Sequence, residues 1–178
     1  MKKSILMPLV TIAVAAAMLL GATIGLQTVG EAKAQSEHLR IMRTILPDST
    51  DFVVEPYAGD DANIRSVHKA DNGFVIETVV YGYADDIRMM VGVSNEGTVT
   101  GLVVMEMAET FGLGAEALTD HVFLAQLLNT SGEAEVGTNV DAITGATVTS
   151  KAVVRSVNSA VAFVTGADTG SGATSWGG

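Results

Sequence analysis

The sequence predicts an α+β protein: one N-terminal transmembrane helix followed by a single domain of twisted, mainly antiparallel sheet with packed helices. Three observations lead there. Ile5 to Gly30 is a run of 26 residues without Asp, Glu, Lys or Arg. Between residues 52 and 107, Val- and Ile-rich stretches alternate with turn residues. Two later segments repeat apolar residues at helical spacing. With 178 residues, the chain has room for one ordinary domain and an appendage.

Taken in order, the first element is the uncharged run, assigned to residues 1–30. As a helix rising about 1.5 Å per residue it exceeds the ~30 Å hydrocarbon core of a bilayer. Lys2 and Lys3 precede it and every acid follows it. The positive-inside rule then leaves the N-terminus in the cytoplasm and the remaining chain outside. The competing reading is a cleaved signal peptide ending at Ala32-Lys33-Ala34, but the run is longer than an h-region of ~7–15 residues. Residues 31–50 form a helical connector, since Leu39, Met42 and Leu46 share a face and Pro47 ends it.

The folded domain is expected over residues 51–165. Its strands are Phe52–Tyr57, Ile64–His68, Gly73–Tyr83, Ile87–Ser94 and Thr98–Met107, with Asn95-Glu96-Gly97 as a hairpin turn. A helix from Ala115 to Asn129 would place Leu118, Val122, Ala125 and Leu128 on its core face. A short strand and a helix from Val148 to Val164 follow, the latter burying Val153, Val157, Ala160, Val161 and Val164. Residues 166–178, rich in Gly, Ser and Thr, read as a flexible tail.

Composition narrows the function. With 10 Lys+Arg against 20 Asp+Glu the formal charge is −10, which argues against nucleic acid as a partner. The segment 31–178 holds all 20 acids but 8 of the 10 cations, so the outer domain carries −12. Without cysteine there is no thiolate for an iron–sulfur cluster, a zinc site or nucleophilic catalysis. His38, His68 and His121 are too scattered to suggest a metal site. Asp60-Asp61 and Asp85-Asp86 read as solvated turns, and Met89, Met90, Met105 and Met107 as strand residues packing in the core.

Two segments carry chemistry. Asp141-Ala142-Ile143-Thr144-Gly145-Ala146-Thr147 runs straight into a helix, whose N-terminal amides favour an anion such as phosphate. Gly145 and Ala146 leave the approach free of bulk, and the hydroxyls of Thr144, Thr147, Thr149 and Ser150 gather there. The commoner alternative is a simple Thr or Ser helix cap. The second segment, Glu106-Met107-Ala108-Glu109-Thr110-Phe111-Gly112-Leu113-Gly114, joins the last long strand to a helix. Gly112 and Gly114 would let backbone amides approach a flat or anionic ligand. Its alternative is a tight turn.

Together the two segments resemble the FMN-binding domain of the G subunit of the Rnf complex. They are also similar to its relative, the C subunit of the sodium-pumping NADH:quinone reductase. The resemblance covers most of the chain: an anchor, a strand-rich outer domain, Glu-Thr-x-Gly-Leu-Gly, then Asp-x-x-(Ser/Thr)-Gly-Ala-Thr before a final helix. It implies FMN bound covalently, its phosphate esterified to Thr147 by an extracytoplasmic flavin transferase that uses FAD. It makes Asp141 part of the peptide read by that transferase and gives Thr144, Gly145 and Ala146 the turn around the ester. Glu109 and Thr110 become neighbours of the ring or phosphate, with Leu113 packed on the isoalloxazine. Pro usually follows Glu-Thr in such families, and here Phe111 does.

The function implied is a membrane-anchored electron-transfer subunit, partnered by the other membrane subunits of an Rnf-type ion-translocating ferredoxin:NAD oxidoreductase complex. Its location would be the inner (cytoplasmic) membrane, with the FMN domain extracytoplasmic. No residue reads as a general acid, base or nucleophile for a substrate. A stand-alone extracytoplasmic flavoprotein and a non-redox anchored binding module are the alternatives. A second match to the attachment pattern, Asp168 to Thr174, lacks a following amphipathic helix and reads as chance low-complexity sequence.

Overall fold

The computed structural model describes residues 33–107 and 119–167. The expected anchor at 1–30, the loop holding Glu109, Thr110, Gly112, Leu113 and Gly114, and most of the tail lie outside the described residues. Among the described residues no helix is long and apolar enough to cross a membrane. The chain divides into two units at Arg40/Ile41. In the first, residues 33–40 are helical and Arg40 pairs with Glu37 through Nε–H···Oε2 at 2.9 Å.

In the second unit residues 41–45 are helical (α1) and close with Leu46 N–H donating to the Met42 carbonyl at 2.9 Å, one residue before Pro47. Proline cannot donate and disfavours helical backbone in the residue before it. Five strands follow: β1 (Val53–Glu55), β2 (Ile64–Lys69), β3 (Gly73–Tyr81), β4 (Asp86–Ser94) and β5 (Val99–Met107). They form one sheet in the order β1-β2-β3-β4-β5, with every neighbour pair antiparallel. Sequential hairpins therefore build the whole sheet. All five strands sit where the alternation of apolar and turn residues puts them, and Asn95-Glu96-Gly97 forms the turn between β4 and β5. That turn is closed by Gly97 N–H to Ser94 O and Ser94 N–H to Thr98 O, at 2.9 and 2.8 Å.

Two helices follow, α2 (His121–Ala125) and α3 (Thr147–Thr165). The long helix packs on β3 and β4. Val153, Val157, Ala160 and Val161 are fully buried, in one cluster with Ile76, Val80, Ile87, Met89, Val91 and Val93 from the sheet. Each buried valine is worth about 1.5–2 kcal/mol relative to exposure. Two polar links fix the helix against sliding. Ser156 Oγ and Thr78 Oγ1 are 2.5 Å apart in the buried interface, and Asn63 Nδ2 donates to Ser159 Oγ at 3.1 Å. Gly166, with φ of 70°, ends the helix in the left-handed conformation.

Ile45 lies over the sheet where Gly92 and Gly101 pair across β4 and β5. A Cβ on Gly101 would stand 2.7 Å from Ile45 Cα, and one on Gly92 would stand 2.4 Å from its carbonyl oxygen. That oxygen accepts from Thr100 Oγ1–H at 2.6 Å. The two bare positions form a dimple that takes the end of α1, and Met42, Ile45 and Leu46 are buried there.

Three expectations are corrected. The helix expected over Ala115–Asn129 is a single short segment among the described residues, ending at Ala125. Residues 126–129 turn back so that Asn129 N–H donates to Val99 O (2.9 Å) and Val99 N–H to Thr130 O (3.0 Å), which clamps the start of β5. Its buried face is also rotated: Phe123 and Leu127 enter the core, while Val122 is 77% exposed and Leu128 39%. The short strand expected before α3 is an isolated bridge between Val136 and Val140. Of the strand methionines, Met89 and Met90 are fully buried and Met105 is half-buried.

Filling the dimple should cost stability. Gly101→Val is expected to lower unfolding free energy by about 1–3 kcal/mol, the usual range for overpacking. Urea denaturation followed by circular dichroism measures this, with the exposed turn substitution Glu96→Gln expected to lie within about 0.5 kcal/mol of the parent.

Candidate functional site

The Asp141–Thr147 segment is positioned from three sides. Val140 behind it is buried and Ile143 packs against the core cluster. Ile143 and Ala146 are joined by an N–H···O bond of 2.9 Å, a turn with Gly145 at φ 82°. A side chain with a Cβ is strained in that conformation, so glycine is the residue the turn requires. Ser150 then staples the turn to the helix. Its Oγ accepts from Ile143 N–H at 3.2 Å and donates to Ala146 O at 2.9 Å.

The third support comes from α2. Gln126 grips the backbone of Asp141 with both ends of its amide: Oε1 accepts from Asp141 N–H at 2.8 Å, and Nε2 donates to Asp141 O at 3.3 Å. The helix bearing Gln126 is itself capped by Asp120, whose Oδ1 accepts from Val122 and Phe123 N–H at 2.7 and 3.1 Å. The stretch between β5 and Asp120 carries the Gly-Leu-Gly motif and lies outside the described residues.

The start of α3 is not a Thr or Ser cap. Its N-cap is Ala146, which has no side chain to offer and makes no side-chain cap bond. The first turn holds no acid. Ser150 N–H to Ala146 O, at 2.9 Å, is the first backbone bond of the helix, so the amides of Thr147 and Val148 have no helical acceptor. The four hydroxyls expected to gather here divide: Thr149 and Ser150 are buried, whereas Thr144 and Thr147 are exposed. Asp141 and Gly145 are exposed beside them, and Ala146 is buried with 5% of its surface accessible. An accessible hydroxyl at an uncapped, acid-free helix N-terminus fits a phosphate bonded at that oxygen.

Comparison with known proteins identifies the family. The family model described as "FMN-binding domain" matches residues 82–162. The chain is 36% identical over 150 residues to the G subunit of the ion-translocating oxidoreductase complex of Methanosarcina acetivorans, covering 75% of this chain and 77% of that one. The chain belongs to this G-subunit family. It is also 35% identical over 98 residues to the G subunit of the Na(+)-translocating ferredoxin:NAD(+) oxidoreductase complex of Acetobacterium woodii, covering 50% of this chain and 47% of that one. The proton-translocating counterpart from Clostridium ljungdahlii is 35% identical over 99 residues, with 52% and 53% covered. The chain thus spans about half the length of these two bacterial subunits.

The FMN-binding-domain match runs from the turn after β3 into α3, so it takes in both motifs, Gln126 and Ser150. Ser150 is visible in the sequence as a hydroxyl, but not as the staple of the turn. Gln126 carries no signal at all: a glutamine on a short amphipathic helix is ordinarily solvated, and its partner is a backbone 15 residues away.

Gln126→Ala should loosen the motif without unfolding the domain. Loss of the two bonds is expected to speed hydrogen exchange at the Asp141 amide by about tenfold, in keeping with about 1–1.5 kcal/mol of local support. Hydrogen exchange read by mass spectrometry measures it, and Gln126→Glu tests whether one remaining acceptor keeps half the protection.

Proposed function

We propose that this protein is the electron-transfer subunit of an ion-translocating ferredoxin:NAD oxidoreductase complex of the Rnf type, with FMN esterified to Thr147. The observation that carries the reading is the exposed Thr147 hydroxyl at the uncapped, acid-free start of α3. The match to the FMN-binding domain over residues 82–162 and the 36% identity to the G subunit of such a complex support it. FMN, when bound, supplies the redox chemistry by taking up and releasing electrons.

The protein's own residues hold and present the group. Thr147 would provide the ester oxygen, and the amides of Thr147 and Val148 would hold the phosphate. Gly145 turns the chain tightly enough to leave that oxygen open, while Gln126 and Ser150 keep the turn rigid. Asp141, exposed with its backbone gripped, is offered to the flavin transferase as part of the recognised peptide. Glu109, Thr110, Gly112, Leu113 and Gly114 complete the environment of the flavin ring. Covalent attachment removes the need for a deep pocket, so the ring edge stays open for electron exchange.

Residues 1–30 anchor the protein in the inner membrane, with the N-terminus cytoplasmic and the flavin domain on the outer side, where the transferase acts. The uncharged run from Ile5 to Gly30 behind Lys2 and Lys3 supports this topology. Other membrane subunits of the complex are the partners.

Thr147→Ala is expected to abolish the ultraviolet fluorescence of the denatured protein on a gel, with the fold retained by circular dichroism. Thr174→Ala should leave the signal at the parental level. Mass spectrometry of tryptic peptides places the modification; flavin on the tail peptide, or none on either, contradicts the assignment.

A further inference from the structure

The side of α3 that faces solvent is narrow. Over its first ten residues only Thr147, Val148, Lys151 and Arg155 are exposed, because the remainder lies against the protein. Thr147, Lys151 and Arg155 stand at i, i+4 and i+8, in one line along the helix. No Asp or Glu occurs anywhere in α3, although the protein as a whole carries −10. The two cations differ in what they do. Arg155 is engaged, its Nη2 donating to Tyr81 O at 3.0 Å. Lys151 makes no ion pair among the described residues.

Side chains on a helix lean toward its N-terminus, so Lys151 leans back over the turn that begins at Thr147. The Cβ atoms of residues four apart are about 5–6 Å from each other, within reach of a flexible four-carbon stem. We propose that Lys151 is the positioning cation for the phosphate on Thr147, pairing with it during attachment and in the finished protein. This rests on the assignment of Thr147 as the flavin-bearing residue.

The charge balance explains why a cation is needed. In attachment, Thr147 Oγ1 bonds to the phosphorus of the FMN half of FAD, and the P–O bond to the AMP half breaks. AMP departs, the hydroxyl proton passes to solvent, and the new phosphodiester keeps one negative charge. The helix terminus offers only about half a positive charge. The outer domain is strongly acidic and repels an anionic donor, but that field is screened beyond ~8 Å at physiological salt. A cation one turn away acts inside that distance.

The test uses the full chain in detergent with flavin transferase and FAD. It follows the initial rate of covalent flavin fluorescence at low and raised salt, and the 31P resonance of the loaded protein. Lys151→Gln is expected to load about fivefold more slowly at low salt, the size of one exposed ion pair, with the difference shrinking as salt rises. Lys151→Arg should load within about twofold of the parent, and Lys151→Glu more slowly than Lys151→Gln. The 31P resonance should move in the Gln variant and stay near its parental position in the Arg variant. Equal rates and unchanged resonances for parent and Gln variant would overturn the proposal, as would equal slowing by Gln and Arg. A slower rate with an unmoved resonance would assign Lys151 to transferase recognition and also overturn it. A parent that takes up no flavin at all would instead sink the Thr147 assignment, and the role of Lys151 with it.

Discussion

The packing of α3 across β3 and β4 is the constraint on which the site depends. Val153, Val157, Ala160 and Val161 seat the helix, and the buried Ser156–Thr78 bond with the part-buried Ser159–Asn63 bond sets its axial position. Apolar contacts alone permit a helix to slide or turn slightly, since they are non-directional. A buried hydroxyl pair does not, because breaking it leaves two unsatisfied polar groups. The consequence appears two turns upstream, where the helix must start at Thr147 and leave that hydroxyl in solvent.

The turn before the helix is built to be rigid and bare together. Its rigidity comes from groups that point inward or sit behind it: Ile143 on the core, the Ser150 hydroxyl, and the amide of Gln126. Its outer surface retains only Thr144, Gly145 and Thr147 with Asp141 beside them. A helix start is normally capped by a side chain or attended by an acid, and α3 has neither in its first turn. The stabilisation forgone is about 1 kcal/mol for a typical cap, and the first amides of the helix keep no side-chain acceptor from the cap. This member of the G-subunit family thus keeps the Thr147 hydroxyl in solvent, on an element that the core holds still.

The opposite side of the sheet solves a different problem. Gly92 and Gly101 lie directly across from each other and receive the end of α1, where the Ile45 carbonyl accepts from Thr100. Within the second unit, the residues that precede the strands therefore pack on the strands farthest along the meander, β4 and β5. Both strands fall within the segment matched by the FMN-binding-domain family.

Much of this is legible in the residues alone. The five strands follow from period-two alternation broken by turn residues, and their order follows from short connections, which allow little besides sequential hairpins. The buried face of α3 can be read because 19 residues give the 3.6 period time to declare itself. The buried face of the five-residue α2 cannot, for the opposite reason: over so short a stretch Val122 and Phe123 are equally plausible core residues, and only the position of the sheet decides between them. Thr147 stands out by its motif. That Ala146 leaves the cap empty, that Thr149 and Ser150 turn inward, and that Gln126 grips Asp141 are decided by tertiary structure. Hydrogen bonds between residues distant in the chain leave no periodic trace in a sequence, whereas burial of one face of a helix or strand does.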